Sequence, residues 1–530
     1  MSGNAAKLIA DLVEEGLANA TSGTAEQGPL PWDSLDLRCA EFPMTDLGNV
    51  SRFVARFGHD FKFVDQWGWM AWDGKRWNSR EAEAILNRAV HDVVNNIALE
   101  AAALSSLSND YDGGKFRSDI DPVFEVKPSG KIVRHSDRLA AWCFASQSAA
   151  HVSCIARMAR PYLTSSPNAF DREPLAINVQ NGTLRLWLEA GEAKIRLDPH
   201  QRQDLITKIA NATYDHEATS PAYDRFFNEV QPSDGMWRHL HAWGGVSFSA
   251  IPVARISFWY GIGRNGKSTL MDAWAFVMGE YCQSIPIESF LDQGRARRGG
   301  DASPDIASLP NVRCLRTSEP EKGAKLAESL IKLVTGGEPL RARHLNRDFF
   351  EFKPHFKLSM QGNHKPRIDG TDEGIWARLL LVPFSVIIPA ERRDPYLGDK
   401  LKDEASGILN RLLDGLMSFL ERGLEPPAEV VTATADYRED SDPIGQFIRD
   451  CTSAAPPEVR ARVAGRDLWA VYLRWAAAMG EKPWSAKAFS RGLVEHGIQR
   501  LKSSGIYYLG ISLTKSVSDF EGQAYDASDQ

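Results

Sequence analysis

The sequence predicts an α/β protein in which a parallel sheet covered by helices is preceded by an α+β domain and followed by a winged-helix domain. Three observations predict it. Gly261-Ile262-Gly263-Arg264-Asn265-Gly266-Lys267-Ser268-Thr269 has the G-x-x-x-x-G-K-[ST] form of a phosphate-binding loop. Strand and helix patterns alternate around it from Tyr214 to Leu420, the order of a parallel sheet with helices on its faces. Hairpin turns at Asp73-Gly74 and Asn181-Gly182 mark a separate domain before this region, and a pattern of three helices and a hairpin marks another after it.

Composition sets the limits. At 530 residues, 43% of them hydrophobic, the chain has material for about two to four domains with sizeable cores. Cys39, Cys143, Cys154, Cys282, Cys314 and Cys451 form no C-x-x-C pair and no Cys/His cluster at zinc spacing, so reduced thiols in a cytoplasmic setting are expected. The N-terminus carries Glu14 and Glu15 and no long apolar run, and the apolar stretch Leu379 to Ile388 is short and broken by proline. Neither a secretory signal nor a membrane span is expected. A net charge of −7 argues against a protein that coats DNA by bulk charge, so any nucleic-acid contact has to be local.

Along the chain, residues 1–40 are small and polar and read as a disordered tail. The α+β accessory domain, 41–213, begins with a helix at Val50 to Phe57 and strands at Phe61 to Val64 and Trp69 to Trp72. Helical patterns follow at 80–107 and 136–163, then a hairpin of Ala176 to Gln180 with Thr183 to Leu188. The ATPase region, 214–420, has the strand Ile256 to Tyr260, the phosphate loop, and a helix with Leu270, Ala273, Trp274 and Val277 on one face. Glu425-Pro426-Pro427 marks a linker at 421–440. Residues 441–513 read as the winged helix, with Leu468, Val471, Tyr472 and Trp475 on one helix face, Ser485 capping the next helix and paired strands around Gly505. The polar, acidic stretch 514–530 reads as a second disordered tail.

The loop carries the chemistry. Its glycines let backbone N–H groups of Gly261 to Thr269 wrap the phosphates of ATP, Lys267 reaches the β and γ oxygens, and Ser268 holds Mg²⁺. Gly261, Gly263 and Gly266 also satisfy G-x-G-x-x-G, but a Lys-Ser pair directly after the last glycine serves a γ-phosphate and its metal rather than a pyrophosphate. Asn311 to Glu319 is an alternating strand ending in a carboxylate, which makes Glu319 the candidate general base and second metal contact; an ordinary exposed glutamate is the plain alternative. Phe356 to Asn363 is another such strand, ending in an amide that could orient the attacking water or touch the γ-phosphate; a turn residue is the alternative. In Trp376-Ala377-Arg378 the guanidinium fits an arginine finger acting on a neighbouring subunit, against a surface salt bridge. From Thr335 to Phe352 a helix end and a hairpin turning near Asn346 place Arg343, His344 and Arg347 near the tip, where they can hold a single strand's phosphates.

Residues 45 to about 513 resemble the phage and plasmid primase-helicase family, whose motor is a superfamily 3 helicase of the AAA+ class. The motifs that carry the resemblance are Thr45 to Asn49, Trp72 to Trp77, Asn178 to Gly182, Gly261 to Thr269, Thr317-Ser318-Glu319, Lys332 to Arg343, Gly362 to Pro366 and Asp372 to Phe384. The resemblance implies a homo-oligomeric, hexameric ring that moves on single-stranded DNA and opens forked DNA with ATP hydrolysed between subunits. A separate primase or replication initiator is an implied partner, and a bacterial or phage-infected cytoplasm the implied location. Residue by residue, it implies Lys267 and Ser268 on the triphosphate and Mg²⁺, Glu319 as the Walker B acid, Asn363 as polar sensor, Arg378 as the finger and the 340–352 hairpin as the pore hairpin.

Two departures stand out. Members of the family often carry Trp-Arg-Arg where this chain has Trp376-Ala377-Arg378, and the acid strand presents Ser318-Glu319 without a second carboxylate. The forty residues before Thr45 leave no room for a polymerising domain, so primer synthesis by this chain is not expected. Two other functions compete: a ring ATPase that remodels protein complexes, and an ATP-regulated regulator that binds duplex DNA through Lys487, Arg491, Arg500 and Lys502.

Overall fold

The structure, a computed structural model, describes residues 34–109, 119–292, 304–317, 319–343, 345, 348–368, 373–455, 461–480 and 483–520. It divides into two compact units: the chain through Arg185 with Leu197–Ile209, and Leu186–Arg196 with the chain from Ala210 onward.

In the first unit, Thr45 starts the helix Asp46–Phe57 by accepting a hydrogen bond from Gly48 N at 3.1 Å. Val50, Phe53 and Val54 of that helix pack with Leu86, Val90 and Val93 of helix Ala82–Asn109 and with Ile155 and Ala159 of helix Ala149–Leu163. Phe61–Val64, Gly68–Trp72 and Trp77–Asn78 form an antiparallel sheet. Inside the helical layer Arg52 and Glu100 are fully buried as an ion pair of 2.7 Å, and the guanidinium also donates to the carbonyls of Phe42 and Pro43. That leaves the charge partnered on every side, as burial requires.

Four sequence expectations need correction in the described residues. Leu35–Ala40, assigned above to the tail, is a helix capped by Ser34, and its Cys39 and Ala40 are buried; Ala40 packs against Ile97 and Leu139. The single helical pattern at 136–163 is two helices, His135–Ser146 and Ala149–Leu163, because the Ser148 side chain caps the second. The linker at 421–440 contains the helix Ala428–Asp440 with Val430 and Tyr437 buried. Pro427 ends the preceding segment, and the seven-residue spacing of Val430 and Tyr437 gives the new helix one narrow apolar stripe. The second tail, too, is ordered as far as Phe520, which is buried against the three-helix core. Residues 1–33 and 521–530 lie outside the described residues.

The second unit is built on five parallel strands: β1 (Ile256–Tyr260), β2 (Cys282–Ile285), β3 (Cys314–Thr317), β4 (Lys357–Gly362) and β5 (Leu379–Pro383). Their order across the sheet is β2-β3-β4-β1-β5. Four of the five residues of β1 are buried, as expected of a central strand covered on both faces. Ile256 and Phe258 enter a core shared with Ile331, Val334, Trp376 and Tyr437. On the opposite face Trp259 packs edge-on against Trp274 of helix α1 (Lys267–Met278), their ring centroids 5.4 Å apart.

Behind α1, helices Asp234–Phe248 and Ala405–Arg422 approach backbone to backbone. A Cβ on Gly415 would stand 1.9 Å from the His241 carbonyl oxygen, and one on Gly245 2.3 Å from Leu416 N. A buried polar chain crosses this packing. Trp274 Nε1 donates to the Tyr223 hydroxyl at 3.0 Å, Tyr223 donates to His241 Nε2 at 2.9 Å, and His241 Nδ1 donates to the Trp237 carbonyl at 2.8 Å. A carbonyl can only accept, so His241 is the neutral Nδ1–H tautomer. Beyond Asp442, helices Pro443–Cys451, Gly465–Ala478 and Ala486–Glu495 pack with a hairpin of Gln499–Lys502 and Ile506–Leu509 around Phe447, Tyr472, Trp475 and Phe489. Among the described residues no helix is long and apolar enough to cross a membrane, and all six cysteines are free.

Two outcomes follow from the helix packing. Gly415→Ala, which in an exposed helix would gain about 1 kcal/mol, is expected to lower Tm by several degrees, read by calorimetry, because no Cβ fits there. Burial pushes the His241 imidazole down to about 4, against about 6.5 when unfolded. The unfolded chain therefore binds the extra proton between those values, and up to about 3 kcal/mol of stability, complete above the unfolded pKa, is lost as pH falls toward 4. The fall in Tm from neutral to mildly acid pH is expected to be smaller in His241→Gln than in the unsubstituted protein.

Candidate nucleotide-binding site

The loop between β1 and α1 is held open by its own backbone and by the segment after β5. Gly263 and Gly266 have φ of +23° and +79°, and Arg264 between them adopts +63°. At Gly266 a Cβ would also meet Val230 and Phe226 within 3.0 Å, and at Gly261 it would meet the Phe384 carbonyl oxygen at 2.2 Å, so glycine is required at both on steric grounds. Asn265 Nδ2 donates to the Phe384 carbonyl at 3.0 Å and Ile388 N to the Arg264 carbonyl at 3.0 Å. The loop opens onto the N-terminus of α1, whose unpaired N–H groups and dipole favour an anion. Ile262 is 75% exposed at the loop's crest.

Lys267, Asn363 and Glu319 meet there. Lys267 Nζ donates to the Gly261 carbonyl at 2.6 Å, to Asn265 Oδ1 at 3.1 Å and to Asn363 Oδ1 at 3.2 Å. Burial lowers its pKa and the nearby Glu319 carboxylate opposes that shift. Asn363, one residue past β4, accepts from Gly263 N at 3.0 Å through the same Oδ1. Its own N–H donates to one Glu319 oxygen, and its Nδ2 to the other at 3.4 Å. The amide thus ties the phosphate loop to the acid, and all three groups stand at the C-terminal ends of adjacent parallel strands.

Ser268 is exposed on the first turn of α1, its hydroxyl donating to Gln361 Oε1 at 3.4 Å. Hydroxyl, carboxylate and amide oxygens are the hard donors that Mg²⁺ accepts. Among the described residues no three His, Cys, Asp or Glu side chains gather as a metal site. A Mg²⁺ held by Ser268 and Glu319 would therefore complete its shell with phosphate and water. The residues present fit such an ion.

Arg378 stands elsewhere. It precedes β5, and its carbonyl accepts from Ile256 N at the start of β1, so the length of a strand, roughly 16 Å at about 3.3 Å per residue, separates it from the loop. Its guanidinium donates to Thr335 Oγ1 at 3.0 Å and to the Gly374 carbonyl at 2.7 Å. The expected hairpin is present, Leu340–Ala342 pairing with Phe350–Phe352. Arg343 is half-buried, and with Arg341 it stacks over Phe349, at 4.9 and 4.4 Å from the ring centroid. His344 and Arg347 lie outside the described residues.

Sequence reasoning missed a cleft of about 770 Å³ beside the loop. Arg264, Gly266, Thr269 and Phe276 line it, together with Arg225 and Phe226 of helix Pro221–Val230 and the segment from Ile388 to Lys402. It missed Gln361 and the bracing role of Asn265 as well. The alternating strand that ends in Asn363 already placed Gln361 on the same strand face as Asn363, which is the one signal available; the cleft joins segments far apart in sequence and left none.

Residues 50–232 match the family described as D5 N terminal like. The match runs through helix Pro221–Val230, which walls the cleft. Relatives of the chain include "Putative helicase L207/L206" of Acanthamoeba polyphaga mimivirus, 27% identical over 270 residues, covering 47% of this chain and 28% of that protein. "Putative helicase 022R" of Frog virus 3 is 26% identical, covering 48% and 27%. "Putative primase C962R" of African swine fever virus (isolate Warthog) is 29% identical over 140 residues, covering 25% and 14%. Each match spans less than a third of the relative. These names agree with the primase-helicase family that the sequence resembles. Among solved structures the apo NrS-1 C terminal region aligns with 62% of this chain and 96% of its own, at 10% identity and a TM-score of 0.33, too distant to carry an argument.

Proposed function

We propose that this chain is the motor of an ATP-dependent DNA helicase of superfamily 3, working in the replication of a phage, prophage or plasmid as a ring on single-stranded DNA. The observation that carries the proposal is the contact of Asn363 with both the phosphate loop and Glu319. A nucleotide's γ-phosphate enters where these groups converge. The strand order β2-β3-β4-β1-β5 supports an AAA+ core, with the acid strand β3 and the amide strand β4 on one side of the loop strand. The three helices and hairpin after Asp442 support a winged helix.

In this reading the cleft takes the base and ribose, with Phe226 among its apolar and Arg225 and Lys402 among its charged lining residues. Lys267 leaves its three oxygen partners for the β and γ oxygens. Ser268 and Glu319 would hold a Mg²⁺ ion, which would supply neutralisation of phosphate charge. Glu319 accepts the proton of the attacking water while Asn363 orients it. Arg378 lies a strand's length from its own loop, so it acts on the nucleotide of the next copy. A homo-oligomer, hexameric on the family's pattern, follows from that requirement. Arg343, His344 and Arg347 hold the single strand, and a separate primase or initiator is its partner.

Lys267→Ala is expected to abolish both ATP hydrolysis and separation of a tailed duplex; hydrolysis indifferent to single-stranded DNA, with no strand separation, would overturn the helicase reading. Arg343→Ala with Arg347→Ala is expected to keep basal hydrolysis and lose its stimulation by DNA. Asn363→Ala is expected to lower kcat by about 100-fold or more with nucleotide Kd changed only slightly. A matching loss of nucleotide binding, measured by titration calorimetry, would make Asn363 a mere brace of the loop.

A further inference from the structure

A cavity of about 580 Å³ lies between helix Gly465–Ala478, helix Ala486–Glu495 and the hairpin of Gln499–Lys502 with Ile506–Leu509. Trp469, Phe489, Tyr507 and Tyr508 line it, with Arg466 and Gly505 also in its wall. The walls are tied together: Tyr508 donates to Ser490 Oγ at 2.7 Å, strand to helix, and Trp469 packs on Phe489 with centroids 5.4 Å apart. The cavity is therefore preformed, and neither the nucleotide site nor the 340–352 hairpin uses it.

The charge around it is unlike the rest of the chain. Residues 461–515 hold nine Lys and Arg against three Asp and Glu, in a chain whose net charge is −7. In the hairpin, Arg500 stands opposite Tyr508 and Lys502 opposite Ile506. Directly opposed residues share a face of the sheet, and Ile506 and Tyr508 line the cavity, so both cations stand on the face that forms its wall. Both are exposed, and Arg466 is 88% exposed, its pairing with Asp467 being a surface contact that holds it only weakly.

An aromatic slot rimmed by cations has the chemistry of single-strand recognition, in which π-faces take unpaired bases and cations take the intervening phosphates. A duplex hides its base faces and would engage the cations alone. We propose that this cavity is a second single-stranded nucleic-acid site: one unpaired base enters beside Trp469 and Phe489, while Arg466, Arg500 and Lys502 hold the flanking phosphates. The site needs neither nucleotide nor ring, so it stands or falls apart from the helicase reading.

The test uses the full chain without nucleotide, in an Arg343→Ala/Arg347→Ala parent that silences the hairpin, with binding read by fluorescence anisotropy. The probes are labelled oligo-dT, an abasic strand of equal length and a blunt duplex. Arg500→Glu with Lys502→Glu is expected to weaken oligo-dT binding about tenfold or more. Ala486→Trp fills the cavity from an exposed rim position; it is expected to lower oligo-dT affinity about tenfold, to that of the abasic strand, whose binding stays unchanged. Basal ATP hydrolysis stays at the parent level in both variants. The proposal is overturned by a parent that binds no oligo-dT, by duplex bound as tightly as oligo-dT, or by an Ala486→Trp protein that still prefers oligo-dT to the abasic strand.

Discussion

Parallel pairing of β1 with β4, which sets Tyr260 opposite Gly362, holds the phosphate loop within hydrogen-bond reach of the Asn363 amide. Strands in register end together, so the residue after each strand shares a rim with the residue after its neighbour. Pairing of β3 with β4 adds Glu319 to the same rim. The site is thus a consequence of strand register: a shift of one residue would turn Asn363 toward the opposite face and leave Lys267 and Glu319 without their common partner.

That rim needs a rigid support, and α1 receives it from behind. Trp274 anchors α1 to β1 through Trp259 and to the outer helices through the Tyr223–His241 chain. Satisfying those buried groups fixes the rotation of α1 about its axis, since a neutral His241 accepts from Tyr223 only if it donates to the Trp237 carbonyl. The glycine contacts between the outer helices then bring the layer close enough for the chain to close. Lys267 and Ser268, on the first turn of α1, inherit their positions from this packing.

Much of this was legible in the sequence where local chemistry is self-sufficient. The loop pattern located Gly261 to Thr269, and the strand at Ile256 to Tyr260 formed at those bounds. The strand ends at Glu319 and Asn363 proved to be neighbours, because alternation names the strand and the residue type names its end. The Asn181-Gly182 turn likewise joins two strands, Ala176–Val179 and Gly182–Glu189. Reading failed where the signal was faint or nonlocal. Leu35–Ala40 is too short for periodicity to show, Ala428–Asp440 has a stripe only two residues long, and the break at Ser148 interrupts an apolar pattern that otherwise runs on.

The sequence by itself determined that a loop of the G-x-x-x-x-G-K-[ST] form exists, which residues could serve an acid, an amide and a cation beside it, and that three helices and a hairpin follow. These depend on residue type and on spacing along one chain, which local backbone physics translates directly. Only the tertiary structure decided which of them meet. It joined Asn363 to Lys267 and Glu319, set Arg378 a strand's length away, and walled a cleft with segments near Phe226 and Lys402 that no sequence window contains. Proximity between distant segments is fixed by burial and by register across the sheet, and neither is written in any local pattern.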